Sequence, residues 1–223
     1  MIVSCVDLAK TYAAERGEIE AVRGIDFEMR PGEFTSIVGR SGSGKSSFLA
    51  MIGGLSRPSR GSLRIEDTDI CRLSDDHLAD FRNRRIGFVY QFASLLPTLR
   101  IIDNVALPAR LDPTQDSASA YRRARGWLEQ FSLSQYLDAY PSEISSGEQR
   151  RAVLARALMN DPALLLADEP TSDLDEVTEG EIVELFRGLN REHNLTVLMV
   201  THNLRLAEQT DRVIHIADGR LAA

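Results

Sequence analysis

One octapeptide constrains this chain more than any other feature: Gly39-Arg40-Ser41-Gly42-Ser43-Gly44-Lys45-Ser46 fits G-x-x-x-x-G-K-[ST]. It stands between an apolar run, Phe34 to Val38, that reads as a strand and a segment from Ser46 through Ser47 to Ile52 that reads as a helix. Glycines in such a loop let successive backbone N–H groups turn inward on phosphate oxygens with no Cβ in the way, and the helix N-terminus adds partial positive charge. The pattern predicts that Lys45 reaches the β- and γ-phosphates of a nucleotide and that the Ser46 hydroxyl ligates Mg²⁺. Arginine supplies almost every cation of the chain, whereas lysine occurs only at Lys10 and Lys45, so the loop carries a compact point charge where nearly every other basic site is a guanidinium.

The surrounding pattern is α/β. Ile2 to Leu8, Glu20 to Met29 (with Ile25, Phe27 and Met29 alternating) and Phe34 to Val38 after Pro31-Gly32 read as strands. Ser62 to Ile65 and Ile86 to Tyr90 are further strands, flanking a helix that Ser74 or Asp75 caps and that runs to about Arg84. From Phe92 to Leu158 the periodicity is helical, with Tyr121 to Phe131 amphipathic and Gly147 to Met159 rich in Arg, Ala and Leu. Ala163 to Ala167 and Thr196 to Val200 are continuous apolar runs, as expected of strands buried on both faces of a parallel sheet. A hairpin-like piece, Arg212 to Ala217 before Asp218-Gly219, ends the pattern. With 223 residues, one α/β domain carrying a helical insertion is the economical reading.

Net charge sets limits on partners. A formal charge of -7 argues against non-specific binding to nucleic acid or to an anionic membrane. The longest apolar runs are strand-sized, far below the roughly 20 residues that span a bilayer. Met1 to Val6 reads as a first strand and not as a signal peptide, so the chain is expected to stay in the cytosol. Cys5 and Cys71 have no metal-type spacing and are expected to be reduced structural thiols.

The apolar run at Ala163 ends in Asp168-Glu169, at the strand edge where open α/β sheets hold ligands. Asp168 is placed to hold Mg²⁺ and Glu169 to polarise an attacking water. With Ile144-Ser145-Ser146-Gly147-Glu148 before Arg156-Ala157-Leu158, and Leu166-Ala167-Asp168-Glu169-Pro170-Thr171 after it, the whole chain resembles an ABC ATPase. The resemblance implies a P-loop NTPase core with a mostly parallel sheet and an N-terminal antiparallel β subdomain, formed by residues 1–91 and 159–223, and an inserted α-helical subdomain at 92–158. It implies that Tyr12 stacks on adenine, that Gln91 contacts Mg²⁺ and the attacking water, and that His202 touches the γ-phosphate. Ser172-Asp173-Leu174-Asp175 then crosses to a second subunit, and Ser145, Ser146, Gly147 and Glu148 meet the ATP held by that subunit. Two chains would pair head to tail as a homodimer around two Mg-ATP.

Two positions depart from the family pattern, which usually has Gly where Ser146 stands and Gln where Arg150 stands. Both bear on how the signature segment grips the opposing γ-phosphate. At a helix start φ is negative and serine fits without strain, so Ser146 is expected to be tolerated.

Phe88 to Leu99, leading to Asp103-Asn104-Val105-Ala106-Leu107-Pro108, is similar to lipoprotein-releasing and macrolide-exporting ABC ATPases. This implies a separate transmembrane permease subunit and a peripheral location at the cytoplasmic face of the inner membrane. Leu95, Leu96, Ile101 and Ile102 are either part of the groove for that permease or helical core. The rival reading is an ABC ATPase that regulates cell division through a membrane partner without moving cargo. DNA-repair relatives place long coiled coils between the phosphate loop and the signature, whereas Ser46 to Ser145 spans only about a hundred residues. Translation factors carry two cassettes in one chain, and the guanine-reading Asn-Lys-x-Asp of GTPases does not occur.

Overall fold

A computed structural model describes residues 1–14, 17–92 and 94–222. In chain order the elements are β1 (Val3–Ala14), β2 (Gly17–Met29), β3 (Phe34–Val38), α1 (Lys45–Ile52), β4 (Arg60–Ile65), β5 (Thr68–Asp69), α2 (Asp75–Arg85) and β6 (Ile86–Val89). Then come α3 (Ile101–Arg110), α4 (Ser117–Gln130), α5 (Ser146–Ala157), β7 (Leu164–Asp168), α6 (Glu176–His193), β8 (Thr196–Val200), α7 (Leu204–Ala207), β9 (Arg212–Ala217) and β10 (Arg220–Ala222).

Two sheets result. One is antiparallel, in the order β2-β1-β4-β5, and the other has the order β10-β9-β3-β8-β7-β6. In the second, β3, β6, β7, β8 and β9 pair in parallel and only β10 runs against its neighbour. Period-two alternation in β7 and β8 splits the interior between two faces. Leu164, Leu166 and Leu198 meet Phe48, Met51 and Ile52 of α1 and the inner face of the antiparallel sheet. Leu165, Ala167, Val197 and Met199 meet helices α3 to α6. Helix α1 is therefore held between two sheets, with Phe48 edge-on to Phe27 at 5.6 Å. Because β3, β6, β7 and β8 are parallel, their C-terminal ends deliver the phosphate loop, Tyr90-Gln91, Asp168-Glu169 and Thr201-His202 to one edge of one sheet.

Two features differ from the sequence reading. Strand β1 continues past Leu8 to Ala14, because Asp7 takes φ 49 and the register breaks between Cys5 and Leu8, which shifts the alternation out of phase and hides the second half of the strand. The stretch before Ile101 is not helical: Asn104, fully buried, accepts from Leu96 N at 2.7 Å and donates to the carbonyls of Leu96 and Leu99 at 3.0 Å each, satisfying a turn that contains Pro97. Leu95, Ile101 and Ile102 are buried in the helical core while Leu96 is exposed. Of the two candidate caps for α2, Ser74 is the one used, accepting from His77 N. Both cysteines are free, and burial pushes the Cys5 thiol up to about 12, which keeps it protonated.

Candidate functional site

The phosphate loop is shaped by its own main chain. Gly44, the residue before α1, has φ 103, and a Cβ there would stand 2.2 Å from the carbonyl oxygen of Ala21. Lys45 folds back so that Nζ donates to the carbonyls of Gly39 (2.8 Å) and Arg40 (3.0 Å). The turn between β9 and β10 buttresses the loop from behind, since Gly219 N donates to Ser43 O and Arg23 N donates to Gly219 O. Ser43 Oγ is buried, lines the cleft and has no hydrogen-bond partner among the described residues. Such a hydroxyl suits an anionic oxygen as its acceptor, and it lies beside an ammonium and a helix N-terminus.

Across the loop stand the ends of β7 and β8. Ser46 Oγ donates to Asp168 Oδ1 at 3.3 Å, and burial raises the Asp168 carboxyl above its usual range, with Ser46 and Lys45 opposing and Glu169 reinforcing the rise. Glu169 follows in the left-handed region at φ 46, a conformation that costs a non-glycine residue on the order of 1 kcal/mol or more. Its side chain is largely covered, and Oε2 accepts from His202 N at 3.2 Å and lies 2.8 Å from His202 Nδ1. The strain aims the carboxylate at the loop instead of continuing the strand direction, and the imidazole fixes it there. The resulting cleft, about 420 Å³, is lined by the loop together with Ala21, Ser47, Gln91, Glu169 and His202. Tyr12 sits at its rim, its hydroxyl 3.4 Å from Ser47 Oγ and its ring 5.1 Å from Lys10 Nζ.

Among the described residues no three His, Cys, Asp or Glu side chains gather as a metal cluster. The oxygen-bearing side chains at the loop are the Ser46 hydroxyl and the Asp168 carboxylate, 3.3 Å apart, with Gln91 lining the same cleft; Mg²⁺ uses sparse oxygen sets of this kind when phosphates and water fill its remaining positions.

The remaining expected residues lie elsewhere. Ser145 to Glu148 open α5 outside the cleft, organised by a capping box in which Ser145 N donates to Glu148 Oε2 at 2.7 Å and Glu148 N donates to Ser145 Oγ at 3.3 Å. Ser146 is the first helical residue and keeps negative φ, as its place in the sequence predicts. Gly147 is buried, and a Cβ on it would stand 2.9 Å from Thr178 Cγ2 of α6. Asp175 caps α6, accepting from Val177 N and Thr178 N, while Asp173 is exposed and Ser172 Oγ is buried without a partner among the described residues. Arg150, which stands where the family usually has Gln, is buried and donates to the carbonyls of Tyr90 (2.6 Å) and Gln91 (2.7 Å).

Two further ties went unread in the sequence. Arg156 donates to Ser94 O at 2.7 Å. Glu179 accepts from Thr171 Oγ1 at 2.8 Å and from Asn203 Nδ2 at 3.1 and 3.2 Å, linking the residues that follow Glu169 to those that follow His202. The only local signal for either was Asn203, a recognisable cap type before Leu204.

The profile of the ABC transporter family matches residues 22–172, more than half of the chain. The lipoprotein-releasing system ATP-binding protein LolD of Myxococcus xanthus is 42% identical over 221 residues, covering 99% of this chain and 98% of that protein. The macrolide export ATP-binding/permease protein MacB of Syntrophobacter fumaroxidans is 37% identical over 98% of this chain, which spans only 31% of that longer protein. Among solved structures, the dimeric ATP-binding cassette MJ0796 in a post-hydrolysis state with ADP and Pi superposes with a TM-score of 0.91 at 36% identity, covering 99% of this chain and 97% of that one.

Proposed function

The chain belongs to the ABC transporter family as an ATP-binding and ATP-hydrolysing cassette, and from that premise we propose how its residues divide the work. The observation that carries the proposal is the convergence of Lys45, Ser46, Asp168, Glu169 and His202 on one sheet edge. The loop Gly39 to Ser47 holds the phosphates, Lys45 giving up its carbonyl partners to reach the β- and γ-oxygens, and Tyr12 offers its ring to adenine. Ser46, Asp168 and Gln91 hold Mg²⁺, which when bound neutralises charge on the β- and γ-phosphates. Glu169 accepts hydrogen bonding from the attacking water and orients it, and His202 keeps that carboxylate in place while presenting its exposed ring to the γ-phosphate.

In this reading Ser145, Ser146, Gly147 and Glu148 serve the nucleotide of a second copy, and Ser172 to Asp175 cross beside them, so that the active form is a head-to-tail homodimer around two ATP. Residues 92–158 act as the unit that carries the signature to that copy. A separate membrane permease docks on a groove of about 330 Å³ whose apolar lining includes Leu55, Phe88, Tyr90, Leu107, Pro108 and Leu111. Leu111 is 68% exposed and Phe92, close in sequence to the groove, 70%, an apolar surface that a permease element would cover. Among the described residues no helix is long and apolar enough to cross a membrane, which fits a peripheral subunit at the cytoplasmic face. Similarity to LolD and MacB favours a permease of the lipoprotein-release or macrolide-export type.

The test is Glu169→Gln, assayed for ATP turnover and by light scattering. Removing the base is expected to lower turnover by about 10²- to 10⁴-fold while ATP binding persists and dimers accumulate. Turnover within tenfold of the parent, or a dimer equally populated without nucleotide, would sink the assignment.

A further inference from the structure

We propose that Arg150 is a positioning residue for Gln91, tying the signature helix to the loop after β6 so that movement of one is passed directly to the other. This rests on the reading of Gln91 given above. Arg150 is 3% exposed, and both of its terminal nitrogens donate to main-chain carbonyls, those of Tyr90 and of Gln91 itself, at 2.6 and 2.7 Å. Its Nε has no partner among the described residues. Burial lowers its affinity for the proton, which measures how unfavourable the charge is in this place. A buried guanidinium bonded to two carbonyls, with the Asp173 charge as its one opposing electrostatic influence, is costly: an apolar or amide side chain would fill the same volume at lower cost. What the guanidinium supplies that they cannot is two directed, charge-assisted bonds on adjacent peptide groups, which fix both position and orientation of the chain entering Gln91.

The rest of α5 makes this a lever. Ser145, which caps the helix, lies about 7.5 Å along the axis from Arg150, and six residues beyond Arg150 the half-buried Arg156 holds Ser94 through its carbonyl. One rigid helix thus grips the loop at Tyr90-Gln91 and again at Ser94, with Gln91 at the first grip and the signature at the helix end. A shift of the α5 N-terminus on meeting a partner's nucleotide carries the Gln91 peptide with it, because stretching either bond would leave the buried Arg150 guanidinium short of a partner. The position of Gln91, which already lines the cleft, is thereby adjusted when the signature is engaged.

The experiment compares R150Q, R150K, Q91A and R150Q/Q91A in the full chain by steady-state ATPase assay, with amide hydrogen exchange over residues 90–94 measured with and without AMP-PNP and Mg²⁺. R150Q is expected to lower kcat about tenfold with the KM for ATP changed by less than about twofold, the size of effect seen for residues that transmit coupling without touching ligand. R150K retains the cation without the two-pronged geometry and is expected to fall between R150Q and the parent. In the Q91A background R150Q should add less than about twofold, the signature of acting through Gln91. The exchange change that AMP-PNP produces at 90–92 in the parent should be lost in R150Q. An equal kcat loss with and without Gln91, or an undiminished exchange response in R150Q, would overturn the proposal. If Q91A alone keeps full turnover, the reading of Gln91 fails, and the exchange measurement still decides whether Arg150 transmits the movement. Should R150Q not fold, R150K carries the same comparison, its exchange response expected to be intermediate and an unchanged one counting against the tie.

Discussion

The loops after β3 and β6 leave the same edge of one sheet and are held in opposite ways. The phosphate loop takes its shape from main-chain contacts: Gly44 against the Ala21 carbonyl, Lys45 against the carbonyls of Gly39 and Arg40, and Gly219 against Ser43. The loop from Tyr90 to Arg100 is held by side chains that arrive from elsewhere, Arg150 and Arg156 from α5 and Asn104 from α3. A loop fixed largely through backbone amides and carbonyls is preformed and tolerates little change. One fixed by remote side chains moves with the helices that carry them.

The sharpest way to break this contrast is Gly44→Ala. A methyl group there meets a backbone oxygen at 2.2 Å and a φ of 103 that alanine resists, so the loop cannot absorb it. ATP affinity should fall on the order of 100-fold, measured by calorimetric titration. Affinity within tenfold of the parent would mean that the loop is more pliant than its contacts suggest.

Asn104→Ala probes the other loop, since it leaves the Leu96 amide and the carbonyls of Leu96 and Leu99 without their partner. Destabilisation of about 2–4 kcal/mol is expected, or a fall in Tm of roughly 5–10 °C by calorimetry. ATP affinity should stay within about threefold, because the phosphate loop does not depend on α3. A large loss of affinity alongside the stability loss would erase the distinction between the two loops.

The smallest effect belongs to Ser146→Gly. Serine already sits at negative φ in the first turn of α5, so restoring the family's usual residue relieves no strain and costs only about 0.5–1 kcal/mol of helix preference. ATPase activity should change less than tenfold in either direction. A larger gain would show that the serine side chain itself obstructs the opposing nucleotide.

This contrast also explains what could be read from the sequence. The phosphate loop and the Asp168-Glu169 pair announce themselves because their constraints are local: glycines within a few residues, a lysine at fixed spacing, carboxylates at the end of an apolar run. The negative φ of Ser146 was legible for the same reason, being set by its place at a helix start. Arg150 was visible as a departure but its direction was not, because its partners lie 59 and 60 residues away in the chain. The tie from Glu179 to Thr171 and Asn203 was hidden likewise, and so was the left-handed backbone of Glu169, which no local pattern demands. Leu95, Ile101 and Ile102 could be placed either in a groove or in a core until the burial of Asn104 showed the loop folding over them.

The near-exclusive use of arginine has a practical corollary for anyone labelling this protein. Its only side-chain amines are Lys45, folded into the phosphate loop, and Lys10, poised over the Tyr12 ring beside it. An acylating reagent therefore finds its two lysine targets in or next to the nucleotide cleft, so that mass-spectrometric footprinting of this one functional group becomes an occupancy gauge that needs no engineered probe.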